Sequence, residues 1–185
     1  MQNIEHWIHS LFEHKSLLGM GHAQTKEDLN LGLGWLYYAL ARLHRPKKIL
    51  IIGSHRGFTP MVFARALKDN LDSGQVIFID PSLVDDFWKS SDKVQNYFSD
   101  FELDNIQHHL YTTQDFINTS EYKKLNEIDI LFVDGYHSYE QAKFDHLAFK
   151  HKLSKEDLIF FHDSTSRYSS KIYGEENRYA HSVID

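Results

Sequence analysis

Four short apolar runs punctuate the chain: KKILIIG (47–53), QVIFID (75–80), IDILFVD (128–134) and DLIFFHD (157–163). Each is nearly continuous in apolar residues. A strand covered on both faces of a parallel sheet reads this way, whereas a half-exposed strand alternates. NIQHHLY (105–111) is a weaker strand candidate. Helix-length segments separate the runs, at about 60–70, 84–100, 115–124 and 138–152. Alternation of strand and helix predicts an α/β fold, a doubly wound parallel sheet with helices on both faces.

Upstream, Thr25-Lys-Glu-Asp28 has the spacing of a capping box. Leu29, Leu33, Leu36, Leu40 and Leu43 then recur at helical intervals, and Pro46 closes the segment. This stripe is expected to pack on the sheet. The chain shows no internal repeat and reads as one domain: N-terminal helices over 1–45, a core over 47–163, and a polar segment over 164–185.

In a doubly wound sheet, ligands bind beyond the carboxyl ends of the strands, where strand order reverses. The residues at those ends are Gly53, Asp80, Asp134 and Asp163. Packing alone does not require three carboxylates on four strand ends. After Gly53, Thr59 and Pro60 suggest a helix start, a hydroxyl cap followed by a proline whose missing N–H costs nothing. The loop from Gly53 to Phe58 thus leads to a helix N-terminus, which favours a negative group.

The loop fits neither common phosphate motif. A dinucleotide fingerprint begun at Gly53 needs glycines where His55 and Phe58 stand, and no Gly-Lys pair follows for a phosphate-cradling loop. One carboxylate suits it better than a chain of phosphates. Asp80 suits a ribose, whose two hydroxyls it can accept. Ribose, carboxylate and no phosphates together describe S-adenosylmethionine.

Composition narrows the remaining classes. The 185 residues carry a net charge of −6, against a general binder of nucleic acid, which normally presents a basic surface. There is no cysteine, so disulfides and thiolate metal sites are excluded. The N-terminus lacks the pattern of a signal peptide and no run approaches 18 apolar residues. A soluble, cytoplasmic protein without membrane contact is expected. The 13 histidines are scattered.

The segment IDILFVDGYHSYEQAKFDH (128–146) resembles the DG-x-H-x-Y signature of class I S-adenosylmethionine-dependent methyltransferases, a group with sugar and macrolide O-methyltransferases and cephalosporin-hydroxylase-like proteins. The resemblance covers roughly 47–163 and rests on IGSHRG, FIDP, and the pair VDGYHSY and FFHDS. It implies a Rossmann-like fold in which Gly53, Ser54 and Gly57 surround the methionine moiety and Asp80 holds the ribose. Gln114 and Asp115 fall near the position that meets the adenine. Asp134 and Asp163 match carboxylates that hold a divalent cation in metal-dependent members, with His162 a further candidate ligand. His137 matches a histidine that serves as general base.

Elementary chemistry is compatible with these roles. Neighbouring strands lie about 4.8 Å apart, so carboxylates ending adjacent strands can share a cation. Oxygen ligands suit Mg²⁺, and a hydroxyl bound to such an ion loses its proton more readily. An imidazole is suited to take that proton near neutral pH. The implied function is O-methylation of a hydroxyl on a small metabolite or sugar, with S-adenosylmethionine and Mg²⁺ as cofactors.

Three departures from the family pattern stand out. Ile51 occupies a position usually acidic, two before the first glycine. KED (155–157) replaces a glycine pair expected before the fifth strand. Only 22 residues follow Asp163, and they are mostly polar. The antiparallel strands that normally end the fold are not evident, so either the chain is truncated or a partner subunit in a homo-oligomer completes the sheet. Residues 14–25 and 164–180 are the candidate acceptor loops. The alternatives are a non-catalytic cofactor-binding or scaffold protein, favoured by Ile51 and the short ending, and a nicotinamide-dependent oxidoreductase, disfavoured by the missing glycines.

Overall fold

The computed structural model describes residues 3–17 and 22–164. Five parallel strands form its sheet: β1 (Lys48–Ile52), β2 (Gln75–Ile79), β3 (Ile106–His109), β4 (Ile128–Val133) and β5 (Leu153–Phe161), in the order β3-β2-β1-β4-β5. The chain runs outward from β1 to β3, then crosses back to place β4 on the other side of β1. Registers such as Ile52 with Ile79 on one side and Val133 on the other align the strand ends. The switch point therefore lies between β1 and β4, directly above Gly53. Residues 165–185, and 18–21 of the expected acceptor loop 14–25, lie outside the described residues.

The continuous apolar runs are continuous because successive side chains point to opposite faces and both faces are covered. Ile49, Ile51, Phe78 and Phe132 join one core with helices α1 (Ile4–Glu13), α2 (Leu33–His44), α3 (Phe58–Asp69) and α4 (Ser91–Ser99). Leu50, Ile52, Ile79 and Leu131 face the other core, with α5 (Thr113–Phe116), α6 (Ser120–Lys124) and α7 (Tyr139–Phe149). Each fully buried Ile or Phe contributes roughly 1.5–3 kcal/mol of transfer free energy. Ile51 belongs to the first core and is fully buried, where a carboxylate would be desolvated without a partner.

The N-terminal expectation needs correction. α2 begins at Leu33, not after Thr25. Residues 25–30 form a closed turn, Thr25 and Asn30 exchanging backbone hydrogen bonds, and the Thr25 hydroxyl bonds the Asp28 carboxylate instead of capping a helix. Nor is the leucine stripe the packed face. Gly34, Tyr37 and Ala41 are buried, while Leu33, Leu36 and Leu43 are exposed. A Cβ on Gly34 would stand 2.8 Å from Phe58 Cζ, so it is the close approach of α2 to α3 that selects this face. The helix does end at His44, with Arg45 left-handed before Pro46.

Other boundaries shift for local reasons. α3 is capped at Gly57 (φ +85°), and Thr59 is buried inside its first turn, so Thr59 is not the cap. The segment 84–100 contains a helix only from Ser91, capped by the Ser90 hydroxyl. Thr119 caps a new helix and so splits 115–124 into the two short helices α5 and α6. KED (155–157) lies within β5, beside a register irregularity between Ile128 and Ile130, not in a turn before the strand.

Candidate functional site

Gly53 sits where β1 meets β4. Its φ is +76°, and a Cβ there would stand 2.2 Å from the Asp134 carbonyl oxygen, so no other residue fits. The next amide, Ser54 N–H, donates to Asp80 Oδ2 at 3.0 Å, and Ser82 N–H donates to Asp80 Oδ1 at 2.8 Å. Asp80 is thus held between the loops after β1 and β2, with lone pairs left on both oxygens for a diol.

His55 and Arg56, the bulky residues of this loop, act as anchors. The Arg56 guanidinium pairs with Asp85 and lies 4.6 Å over the Phe87 ring. The Arg56 carbonyl accepts from Tyr97 Oη at 2.9 Å, and the His55 carbonyl from Trp88 Nε1 at 2.9 Å. Hydrogen bonding from Arg56 holds the Asp85 carboxyl below the usual range. A Cβ on Gly57 would stand 3.0 Å from the Trp88 ring, so this glycine lets the loop lie on that aromatic residue.

A cleft of about 140 Å³ opens beside Gly53, walled by Pro81, Leu83, Tyr111, Gln114 and Asp145 among others. Gln114 is therefore at the cleft. Asp115 is not among the lining residues; it lies in the first turn of α5, where its amide donates to the capping Thr112 hydroxyl at 3.1 Å and its carboxylate accepts from that hydroxyl at 2.7 Å. Nothing in the sequence singles out Asp145. Its carboxylate is 1% exposed, accepts from Gln141 Nε2 at 2.8 Å, and burial pushes it up to about 6, opposed in part by Thr113 and Gln141.

The remaining strand-end residues, Asp134 and Asp163, converge on His137 and His162. The Asp134 amide donates to the Ile52 carbonyl (2.8 Å) and the His162 amide to the Val133 carbonyl (2.9 Å), so both continue the sheet ladder. His162 Nδ1 lies 2.9 Å from Asp134 Oδ1, off the hydrogen-bonding direction, and 3.4 Å from Asp163 Oδ1. Burial disfavours its charged form, but the two carboxylates outweigh burial and raise the imidazole to about 10. Asp163 is lowered in turn, chiefly by His162. His137 Nε2 stands 3.9 Å from Asp134 Oδ1 and 3.7 Å from Asp163 Oδ2. Ligand atoms of Asp134, His137 and His162 lie within 4.8 Å of one another.

His22, within the expected acceptor loop 14–25, also reaches this cluster; no motif singled out the residue itself. Its ring is buried, packs 4.6 Å from that of His162, and its Nδ1 is 3.2 Å from Tyr37 Oη. Burial lowers it to about 4, so it is neutral at physiological pH.

Residues 50–164, more than half of the chain, match the family described as a methyltransferase domain. The chain belongs to the methyltransferase-domain family. The carboxyl ends of all five strands fall inside the matched span. The fold of this methyltransferase domain is shared with the O-methyltransferase TomG from Streptomyces achromogenes, solved with S-adenosylmethionine (TM-score 0.65, 16% identity, covering 100% of this chain and 76% of that one). It is similar to a Klebsiella pneumoniae structure proposed to be an O-methyltransferase (TM-score 0.67, 14% identity, 96% and 74% covered). Podospora anserina PaMTH1, solved with S-adenosylhomocysteine, is a third (TM-score 0.64, 15% identity, 93% and 67% covered). The domain thus spans about two thirds to three quarters of their lengths. No curated protein matches it. Among the described residues, no helix is long and apolar enough to cross a membrane.

Proposed function

We propose that this domain transfers a methyl group from S-adenosylmethionine to a hydroxyl of a small metabolite or sugar, and that it belongs to the DG-x-H-x-Y group. The observation that carries the reading is what stands at the strand ends on either side of Gly53: Asp80 after β2, pinned by the Ser54 and Ser82 amides, and Asp134 after β4, with His137 beside it and beside Asp163 after β5. The first suits a ribose and the second suits a reacting hydroxyl.

In this reading Asp80 accepts from the ribose hydroxyls, and the turn at Gly53 admits the cofactor to the sheet end. His137 Nε2 takes the acceptor proton, and the nearby carboxylates stabilise the imidazolium that results. The acceptor oxygen forms its bond to the methyl carbon as the carbon–sulfur bond breaks, and the electron pair leaves with sulfur as a neutral thioether. Asp134, His162 and Asp163 would hold a divalent cation, since His162 Nδ1 stands 2.9 Å from Asp134 Oδ1 and 3.4 Å from Asp163 Oδ1. Such an ion would make a bound hydroxyl more acidic. With imidazole in the donor set, Mn²⁺, Fe²⁺ or Zn²⁺ suits the site better than the Mg²⁺ expected from carboxylates alone.

One observation favours a second arrangement, in which His137 is a ligand: its nitrogen shares the 4.8 Å cluster with Asp134 and His162. The experiment measures methyl transfer from labelled S-adenosylmethionine to a panel of hydroxylated metabolites, together with calorimetric titration of S-adenosylhomocysteine, NAD and divalent cations. His137→Ala is expected to lose at least about a hundredfold in rate while retaining cofactor and cation affinity. Loss of cation affinity would make His137 a ligand. Binding of NAD without binding of S-adenosylhomocysteine would overturn the function, and cofactor binding without transfer to any acceptor would favour the scaffold alternative.

A further inference from the structure

The residues lining the cleft carry a directed chain of hydrogen bonds. It begins at Asp145, a carboxylate 1% exposed on α7, whose Oδ2 makes no hydrogen bond. That oxygen lies 3.7 Å from where a Cβ on Gly135, another lining residue, would stand. Asp145 Oδ1 accepts from Gln141 Nε2 at 2.8 Å, and Gln141 Oε1 accepts from Gln114 Nε2 at 2.7 Å.

The direction of this chain follows from chemistry. An ionised carboxylate only accepts, so Gln141 must turn its NH₂ toward Asp145. Its carbonyl oxygen then faces Gln114, which must answer with its own NH₂. The Gln114 carbonyl oxygen is left over, on a residue that lines the cleft. A lone glutamine there would rotate between donor and acceptor; this one is set as an acceptor by a residue two links away.

We propose that Asp145 and Gln141 are positioning residues that present the Gln114 carbonyl as an acceptor, so that the cleft selects a 6-aminopurine over a 6-oxopurine. A 6-aminopurine offers an N–H where a 6-oxopurine offers a second carbonyl, which would meet the Gln114 oxygen as an unmatched acceptor. The inference rests on the reading of the cleft as the S-adenosylmethionine site and adds what fixes the base.

The test compares binding of S-adenosylhomocysteine and S-inosylhomocysteine by calorimetry. The wild-type protein is expected to prefer the adenosyl ligand by at least about tenfold, the ratio for one unmatched hydrogen bond. Gln141→Met breaks the chain while touching neither end, and should bring the ratio close to one with the adenosyl affinity changed less than the ratio. Gln114→Met, at an exposed position, removes the acceptor and should do the same even if the Gln141 variant fails to fold. A general loss of structure would weaken both ligands together and leave the ratio intact. An unchanged ratio in Gln114→Met, or in a folded Gln141→Met, overturns the inference. Failure of the wild-type protein to bind either ligand would instead overturn the reading of the cofactor.

Discussion

Asp145→Asn should make the protein more stable at neutral pH, although it removes a charged group that accepts a hydrogen bond. Burial raises the Asp145 carboxyl from 3.8 to about 6. At about 1.4 kcal/mol for each tenfold change in proton affinity, keeping this group ionised costs the fold about 3 kcal/mol above pH 6. The sign is that of a raised carboxyl. The folded state binds the proton more tightly than the unfolded state, so the cost is absent below pH 3.8, grows between the two values, and is complete above about 6.

Asparagine removes the charge and keeps an oxygen for Gln141, but sets an NH₂ where Oδ2 has no partner. That buried donor returns about 1 kcal/mol of the gain, leaving about 2 kcal/mol. For a domain of this size such a gain raises Tm by about 4–8 °C. The assay is urea unfolding of both proteins at pH 7.5 and near pH 4. An Asp145→Asn variant less stable than wild type at pH 7.5, or a difference that does not shrink on acidification, would refute the reasoning. A carboxylate retained against its own fold is the kind of group that functional sites keep.

Two further substitutions test the site. Gly53→Ala places a Cβ on the Asp134 carbonyl at a positive φ, and should cost at least about 2 kcal/mol in thermal unfolding and abolish binding of S-adenosylhomocysteine. Asp80→Asn cannot accept both the Ser54 and Ser82 amides and a ribose diol; it should weaken S-adenosylhomocysteine about tenfold or more by calorimetry, while adenine alone is bound as by wild type.

The loop 53–58 shows how sequence and structure divide the explanation. Its glycines were legible, because two failed phosphate motifs and a helix start constrain what such a turn can hold. The purpose of Arg56 was not, because Asp85 and Phe87 lie about thirty residues away and only the fold sets them beneath it. The same holds for the anchoring of His55 through Trp88.

The chain alone determined the strands, their parallel arrangement and the carboxylates at their ends. Burial on both faces imposes uninterrupted apolar runs, and such runs stop where the backbone must turn toward a ligand. Tertiary structure decided which face of α2 is buried, because Gly34 and Ala41 admit α3 more closely than any leucine would, leaving the regular stripe exposed. It also brought His22 to His162, and joined Gln114, Gln141 and Asp145 across two helices. Gln141 and Asp145, four apart on α7, share a helical period; the other partners have none to betray them. Their proximity arises from packing, and their hydrogen-bond direction from a burial that only the folded molecule imposes.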